Sequence, residues 1–232
     1  PQPTRMGLLL DQVLFDNDGR YSTDEAFIRF VEQAFRGLFD RIQFCSRARP
    51  SSNDGPYILD PSIYDIIALP WYANMASLCS KGPVILPRIG HVLDRPMRGW
   101  EMVLVGNLNP LAPLALRMAR RRGLPAILWV RGSPHAELDH RLRGTLRRLA
   151  GKLAAVAVVR AIPNRTHVIL SGENDYPFLS RMGPAQVVYS SKFAAKDFVP
   201  LPRPRPDGHK PRLLYVGRIA PEKGLEVLLE AL

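Results

Sequence analysis

The 232-residue chain has only two cysteines, Cys45 and Cys79, far apart and without CxxC spacing. That usage excludes a disulfide framework and a cysteine zinc site. It implies reduced thiols in a cytoplasmic protein, at core or neutral positions rather than reactive ones. Long apolar runs are missing as well: no stretch approaches the ~20 residues that cross a bilayer. Met6-Gly-Leu-Leu-Leu10 is too short for a signal-peptide core and meets Asp11. The protein is therefore expected to be soluble, or held at a membrane surface at most. No internal repeat and no metal-ligand cluster is visible, so no metal is expected. Acidic residues are scarce beside basic ones, 21 against 32, for a net charge of +11. Between Arg117 and Lys152, ten basic residues meet only Glu137 and Asp139. Such a patch suits anionic lipid, nucleic acid or a phosphorylated substrate. Trp129 is the one aromatic there, which argues against stacking on single-stranded nucleic acid.

Proline is abundant: 22 residues, about twice the usual share, so stiff loops are expected. The 46% hydrophobic and 23% charged content is ordinary for a globular protein. The length allows one large domain or two small ones.

The first elements read as strand, loop and helix. Met6 to Leu14 is an apolar strand interrupted by Asp11, and Asp16-Asn-Asp-Gly-Arg20 is a turn. Ser22 or Thr23 is placed to cap a helix carrying Phe27, Phe30, Val31, Ala34, Phe35 and Leu38. Arg41 to Cys45 reads as a second strand, and 47–62 as loop. Asp65 to Leu69 reads as a strand, Trp71 to Leu78 as a helix and Pro83 to Leu86 as another strand. Glu101 to Val105 is a strand, Asn107 to Pro110 a turn, and Ala112 to Arg122 a helix ended by Gly123-Leu-Pro125. Ala126 to Val130, Thr166 to Leu170 and Gln186 to Tyr189 complete the strands, with a helix over Asp175 to Arg181. The alternation predicts an α/β fold with a parallel, doubly wound sheet.

Leu138, Leu142, Leu146, Leu149 and Leu153 form one helical stripe, with Arg141, Arg143, Arg147, Arg148 and Lys152 on the remaining face. This helix either packs its leucines on the core with a solvated basic face or is drawn to anionic head groups. Pro200-Leu-Pro-Arg-Pro-Arg-Pro206 cannot form a helix or central strand and favours an extended spacer. It divides the chain into domain 1–199, linker 200–211 and a final unit 212–232. A ligand segment of PxxP type is the rival reading for the linker.

The final unit is the most specific feature. Arg212 to Val216 reads as a buried strand, and Gly217, Pro221 and Gly224 shape a turn. Leu225, Leu228, Leu229 and Leu232 keep the spacing of one helix face. A helix start offers unpaired N–H groups and a positive dipole end. Arg218 and Lys223 add two cations beside it, suited to a diphosphate. The alternative is a surface turn with two solvated charges.

Val216-Gly-Arg-Ile-Ala-Pro-Glu-Lys-Gly224 resembles the opening of the second domain in retaining glycosyltransferases of the two-domain GT-B fold, family 4. Residues 101–132 are similar to the strand–helix–strand run of that family's first domain. The resemblance implies two Rossmann-like domains, the second truncated here. It places the donor diphosphate on Arg218 and Lys223, with Gly217 and Gly19 beside it. It implies no cofactor beyond a nucleotide-diphosphate sugar as donor substrate, a glycan or lipid-linked acceptor, and no nucleic acid partner. Peripheral attachment to the inner membrane surface, through the basic 141–152 helix, follows from the same likeness.

Two departures stand out. The family often has paired glycines in its first loop, where only Gly19 is present, next to Arg20. It also often has a histidine after the strand ending at Val130; Arg131 stands there, with His135 four residues on. Arg131, His135 and Asn107 are the candidates for the acceptor or the cleft. Arg131 binds an anionic acceptor group or pairs with a carboxylate of the fold. The Glu-x7-Glu motif of the family would fall beyond Leu232, and the last helix would leave its leucines exposed. The chain is therefore expected to be a fragment. Two rival classes remain: another GT-B-like enzyme, an epimerase or phosphorylase, and a non-catalytic basic module binding membrane or nucleic acid.

Overall fold

The computed structural model describes residues 4–24, 27–35, 37–73, 75–109, 111–131, 153, 155–164, 166–171 and 185–188. Gly217, Arg218, Lys223, His135, the 141–152 helix, the 175–181 helix, the 200–211 linker and the 212–232 unit lie outside them.

Among the described residues, nine strands form one sheet. They are β1 (Arg5–Asn17), β2 (Arg20–Thr23), β3 (Arg41–Pro50), β4 (Tyr57–Ile58), β5 (Tyr64–Leu69), β6 (Met102–Gly106), β7 (Ala126–Arg131), β8 (His167–Ser171) and β9 (Ala185–Val188). Three helices accompany them: α1 (Phe27–Phe35), α2 (Met75–Asp94) and α3 (Ala112–Arg121), with further helical residues at 155–161. Seven strands are parallel in the order β5-β3-β1-β6-β7-β8-β9. The order reverses between β1 and β6, so the sheet is doubly wound and Rossmann-like.

Period-two patterning assigns the faces. Met6, Leu8, Leu10 and Leu14 of β1 point with Phe44, Leu104 and Trp129 toward α1, which contributes Phe27, Ile28 and Val31. Leu9, Cys45, Val103, Val105, Leu128 and Val130 point the other way, onto α2 and α3. Burial pushes the Cys45 thiol far up, so it stays protonated and inert in this core.

Three local expectations are corrected, and a fourth falls at the edge of the described residues. Ser22 and Thr23 belong to β2, and the Ser22 hydroxyl accepts the Gly55 N–H at 2.7 Å; their expected capping of α1 turns on residues 25 and 26, which lie outside those described. The 47–62 stretch is not all loop: β3 runs on to Pro50, and β4 pairs with β2. The helix expected from Trp71 begins at Met75. Pro83 to Leu86 is helix, not strand, because α2 runs through both Pro83 and Pro87. Each proline removes one backbone donor. Leu78, Ile85, Ile89 and Leu93 nevertheless recur on one face and are buried against the sheet, and that burial outweighs the lost bonds. Of the leucine stripe, Leu153 is described, and it is 61% exposed.

Strand β1 is unusually long because it contains a bulge. Its pairing with β3 jumps from Leu9↔Cys45 to Val13↔Arg47. Leu10, Asp11 and Gln12 thus face the single residue Ser46. The fully buried Ser46 hydroxyl fills the gap: its Oγ lies 2.7 Å from the carbonyls of Leu10 and Gln12 and accepts the Gln12 N–H at 3.2 Å. Beyond the bulge β1 leaves β6 and turns into a hairpin with β2 at Asn17↔Arg20. Asp18 and Gly19, both at positive φ (49° and 84°), make the turn.

Ser46→Ala should strip the bulge of its bridge without changing side-chain volume much. We expect a loss of about 1–3 kcal/mol in urea unfolding, with native circular dichroism below the transition. An unchanged midpoint would show that the bulge holds without the hydroxyl.

Candidate functional site

In an open parallel sheet, ligands bind outside the carboxyl ends of the strands, where the order reverses. Here that point lies beyond Leu10 and Gly106, the last pair joining β1 to β6. A Cβ on Gly106 would stand 2.1 Å from Leu10 Cδ2, so a larger residue there requires the buried Leu10 side chain to shift.

After Gly106 the chain turns sharply at Asn107, whose φ is +65°. Asn tolerates this left-handed conformation better than most residues. The Asn107 N–H donates to the Trp129 carbonyl at 2.7 Å, and its side-chain oxygen accepts the Arg131 N–H at 3.0 Å. Two candidates from the sequence are therefore joined: Asn107 fixes the backbone of Arg131 at the end of β7. The Arg131 guanidinium lies 3.9 Å from the centre of the Phe27 ring. Phe27 and Phe30 both meet the Trp129 indole edge-on, at 5.5 and 4.8 Å. Trp129 Nε1 donates to Ser171 Oγ at 2.9 Å. Arg131 is thus a partly exposed cation seated on an aromatic cluster at the start of α1.

Asn109 closes the start of α3. Its side-chain oxygen accepts the N–H groups of Leu111 and Ala112 at 2.9 and 3.0 Å, and its amide donates to the Gly106 carbonyl at 3.2 Å. Those helix amides are therefore already occupied. Gly19 sits at the tip of the β1–β2 hairpin. Its N–H donates to Asp16 Oδ1 at 2.9 Å, so the turn accounts for both the glycine and its amide.

A second polar group was not among the residues singled out from the sequence. The bulge turns Asp11 to the α2 face, where its carboxylate is 15% exposed. Tyr72 donates to Asp11 Oδ1 at 2.5 Å, and Arg47 Nε lies 3.5 Å from the same oxygen. Arg47 also donates to the carbonyls of Tyr72 (2.6 Å) and Ala73 (2.9 Å), and its guanidinium sits 4.7 Å from the Tyr72 ring centre. Asp11 inside an apolar run, and Arg47 and Arg49 at period two, were the signals that could have found this group.

No family model matches the chain, and no curated protein matches it in sequence. Among solved structures, the chain is similar to Phytolacca americana UGT2 complexed with UDP-2fluoro-glucose and pterostilbene. That likeness has a TM-score of 0.47 at 11% identity, over 82% of this chain and 55% of that one. It is also similar to Arabidopsis thaliana UGT89C1 complexed with UDP-L-rhamnose (0.42, 10%, 83% and 52%). A third is Os79 from O. sativa in complex with UDP (0.41, 14%, 75% and 48%). The chain spans about half the length of these structures. At such scores the correspondence is one of broad architecture, and the functional reading stands on this chain's own residues.

Burial, and then the Asp11 carboxylate beside it, hold the Tyr72 hydroxyl protonated well above the ordinary tyrosine range. A pKa raised in the folded state stabilises fully below the unfolded value of 10.0 and is lost as pH rises past it. Tyr72→Phe should therefore flatten the alkaline fall in stability, while lowering stability at neutral pH by about 1–3 kcal/mol. Urea midpoints from pH 7 to 11 for both proteins check this; parallel curves would refute it.

Proposed function

We propose that the intact protein is a GT-B glycosyltransferase that moves a sugar from a nucleotide-diphosphate sugar to a glycan or lipid-linked acceptor. The observation that carries this reading is the motif Val216–Gly224, with Arg218 and Lys223 between an apolar run and a leucine-striped helix. The Rossmann-like sheet of the first domain is in keeping with it. We take the family to be family 4, transfer to be retaining and of hexosyl type, and this chain to be one part of the protein.

In this reading the donor lies between two Rossmann-like domains. Departure of the nucleoside diphosphate builds negative charge on the leaving oxygen. Arg218, Lys223 and the helix start after Gly217 meet that charge as it develops, which is where electrostatic help lowers a barrier. The cations come from the protein itself. Closure about the 200–211 linker keeps water out, so that transfer outruns hydrolysis. The carboxyl edge of the first sheet, with Asn107 and Arg131, faces the acceptor; His135 belongs to the same region by sequence. No helix among the described residues is long and apolar enough to cross a membrane. We place the protein in the cytoplasm, with the basic 141–152 helix resting on an anionic inner membrane surface.

Arg218→Ala and Lys223→Ala in the intact protein should each lower kcat/KM for the nucleotide sugar, on the order of 10²-fold, with melting temperature unchanged. Steady-state kinetics with UDP and GDP sugars reads this. Full activity in both variants would remove the assignment.

A further inference from the structure

Above the bulge, the extended ends of β1 and β3 carry a row of side chains that the fold does not use up. Phe15 pairs with Arg49 across the strands, and the Arg49 guanidinium lies 5.1 Å from the Phe15 ring centre. On its other side, Arg49 lies 6.0 Å from the Trp71 ring centre. Trp71 follows β5, whose Leu69 pairs with Arg47, so Trp71 and Arg49 stand at one level of the sheet.

The two arginines of this row are in different situations. Arg47 is committed: Nη1 donates to two carbonyls, Nε lies 3.5 Å from Asp11, and its side chain is 13% exposed. Arg49 is exposed and makes no ion pair among the described residues. Trp71 keeps 43% of its surface open although two guanidinium groups lie within 6.0 Å of its ring centre. The other two tryptophans of the chain, Trp100 and Trp129, are both buried. An open indole beside a planar cation without a carboxylate recognises one chemistry well. A ring with an apolar face lies against the indole, and an anionic substituent takes the fork of the guanidinium.

We propose that Trp71 and Arg49 form an acceptor subsite for an acidic sugar ring, its C–H face against the indole and its acidic group paired to Arg49. The patch is compact, one indole and one open guanidinium, and this favours a single ring over a lipid surface, which spreads charge across many basic residues. The subsite lies at the carboxyl end of the strands, the same edge as Asn107 and Arg131. Its role as acceptor site rests on the glycosyl transfer proposed above; the binding itself does not.

The test is calorimetric titration of the intact protein, without nucleotide sugar, by an oligosaccharide ending in glucuronic acid and by one ending in glucose. The acidic sugar should bind more tightly. Trp71→Ala and Arg49→Gln should each weaken it by about ten-fold, Arg49→Lys by less. Arg88→Gln, on the exposed face of α2, should leave it unchanged. Both main substitutions are at exposed positions, and equal melting temperatures confirm folding. Equal affinity for both sugars, no binding of either, or indifference to Trp71 and Arg49 overturns the subsite. So does a result in which those variants lose binding to phosphatidylglycerol vesicles but not to the sugar. Acidic-sugar binding that depends on Trp71, in a protein that binds no nucleotide sugar, leaves the subsite standing and removes the glycosyl-transfer reading.

Discussion

One buried hydroxyl sets the geometry of the sheet's carboxyl edge. Ser46 stands alone against Leu10, Asp11 and Gln12, and its Oγ satisfies backbone groups that the broken ladder would strand. Without that bridge the Gln12 N–H and the Leu10 and Gln12 carbonyls would lose the partner that the bulge gives them. With the bridge, β1 leaves β6 at Leu10, lets Asn107 turn toward β7, and continues with β3 and β2 as a separate ribbon above the sheet. Both polar groups at this edge follow from that parting.

The Asp11–Arg47–Tyr72 group shows how a mostly buried charge is kept. Removing a carboxylate from water is expensive, and attraction to one cation seldom compensates fully. Here a phenol donates to the same oxygen, and Nη1 of the arginine donates to two carbonyls. The bonds to the Tyr72 and Ala73 carbonyls tie the segment that enters α2 to the end of β3. Arg41 with Asp65, and Arg122 with Asp94, perform simpler versions of the task. The Arg41 hydrogen bond holds the Asp65 carboxyl below its usual range.

What could be read from the sequence was whatever is local. The run from Met102 to Arg131 was legible because two short apolar runs, a helix between them and Gly123 in the turn that ends it each speak for themselves. The turn at Asp18 and Gly19 was legible for the same reason. Helix α2 was not, because Pro83 and Pro87 are strong local breakers and only burial of Ile85, Ile89 and Leu93 against the sheet overrides them. The β3 extension was missed because its polar residues pack on partners distant in sequence: Arg49 on Phe15 and Trp71, and Arg47 on Tyr72. Of the site candidates, Asn107 and Arg131 meet through a bond from the Arg131 N–H to the Asn107 side chain that no spacing rule encodes. Arg218, Lys223, Gly217 and His135 fall outside the described residues and stay as the sequence reads them.

Charge is divided along the chain in a way that bears on the proposed chemistry. A diphosphate needs free amides at a helix start or fixed cations. At the switch point of the first sheet the α3 amides of Leu111 and Ala112 are taken by Asn109, and the Gly19 amide by Asp16. Those donors are spent on holding the edge in shape. Two cations of that edge, Arg131 on Phe27 and Arg49 near Phe15 and Trp71, both lie against aromatic rings. A guanidinium on a ring is pre-positioned and weakly hydrated, better suited to one anionic group on a ring-bearing ligand than to a mobile diphosphate. The glycine-flanked pair Arg218 and Lys223, with no aromatic between them in the motif, has the opposite character. In the proposed transfer, the first sheet would then select what receives the sugar, and the motif at Val216–Gly224 would hold what gives it.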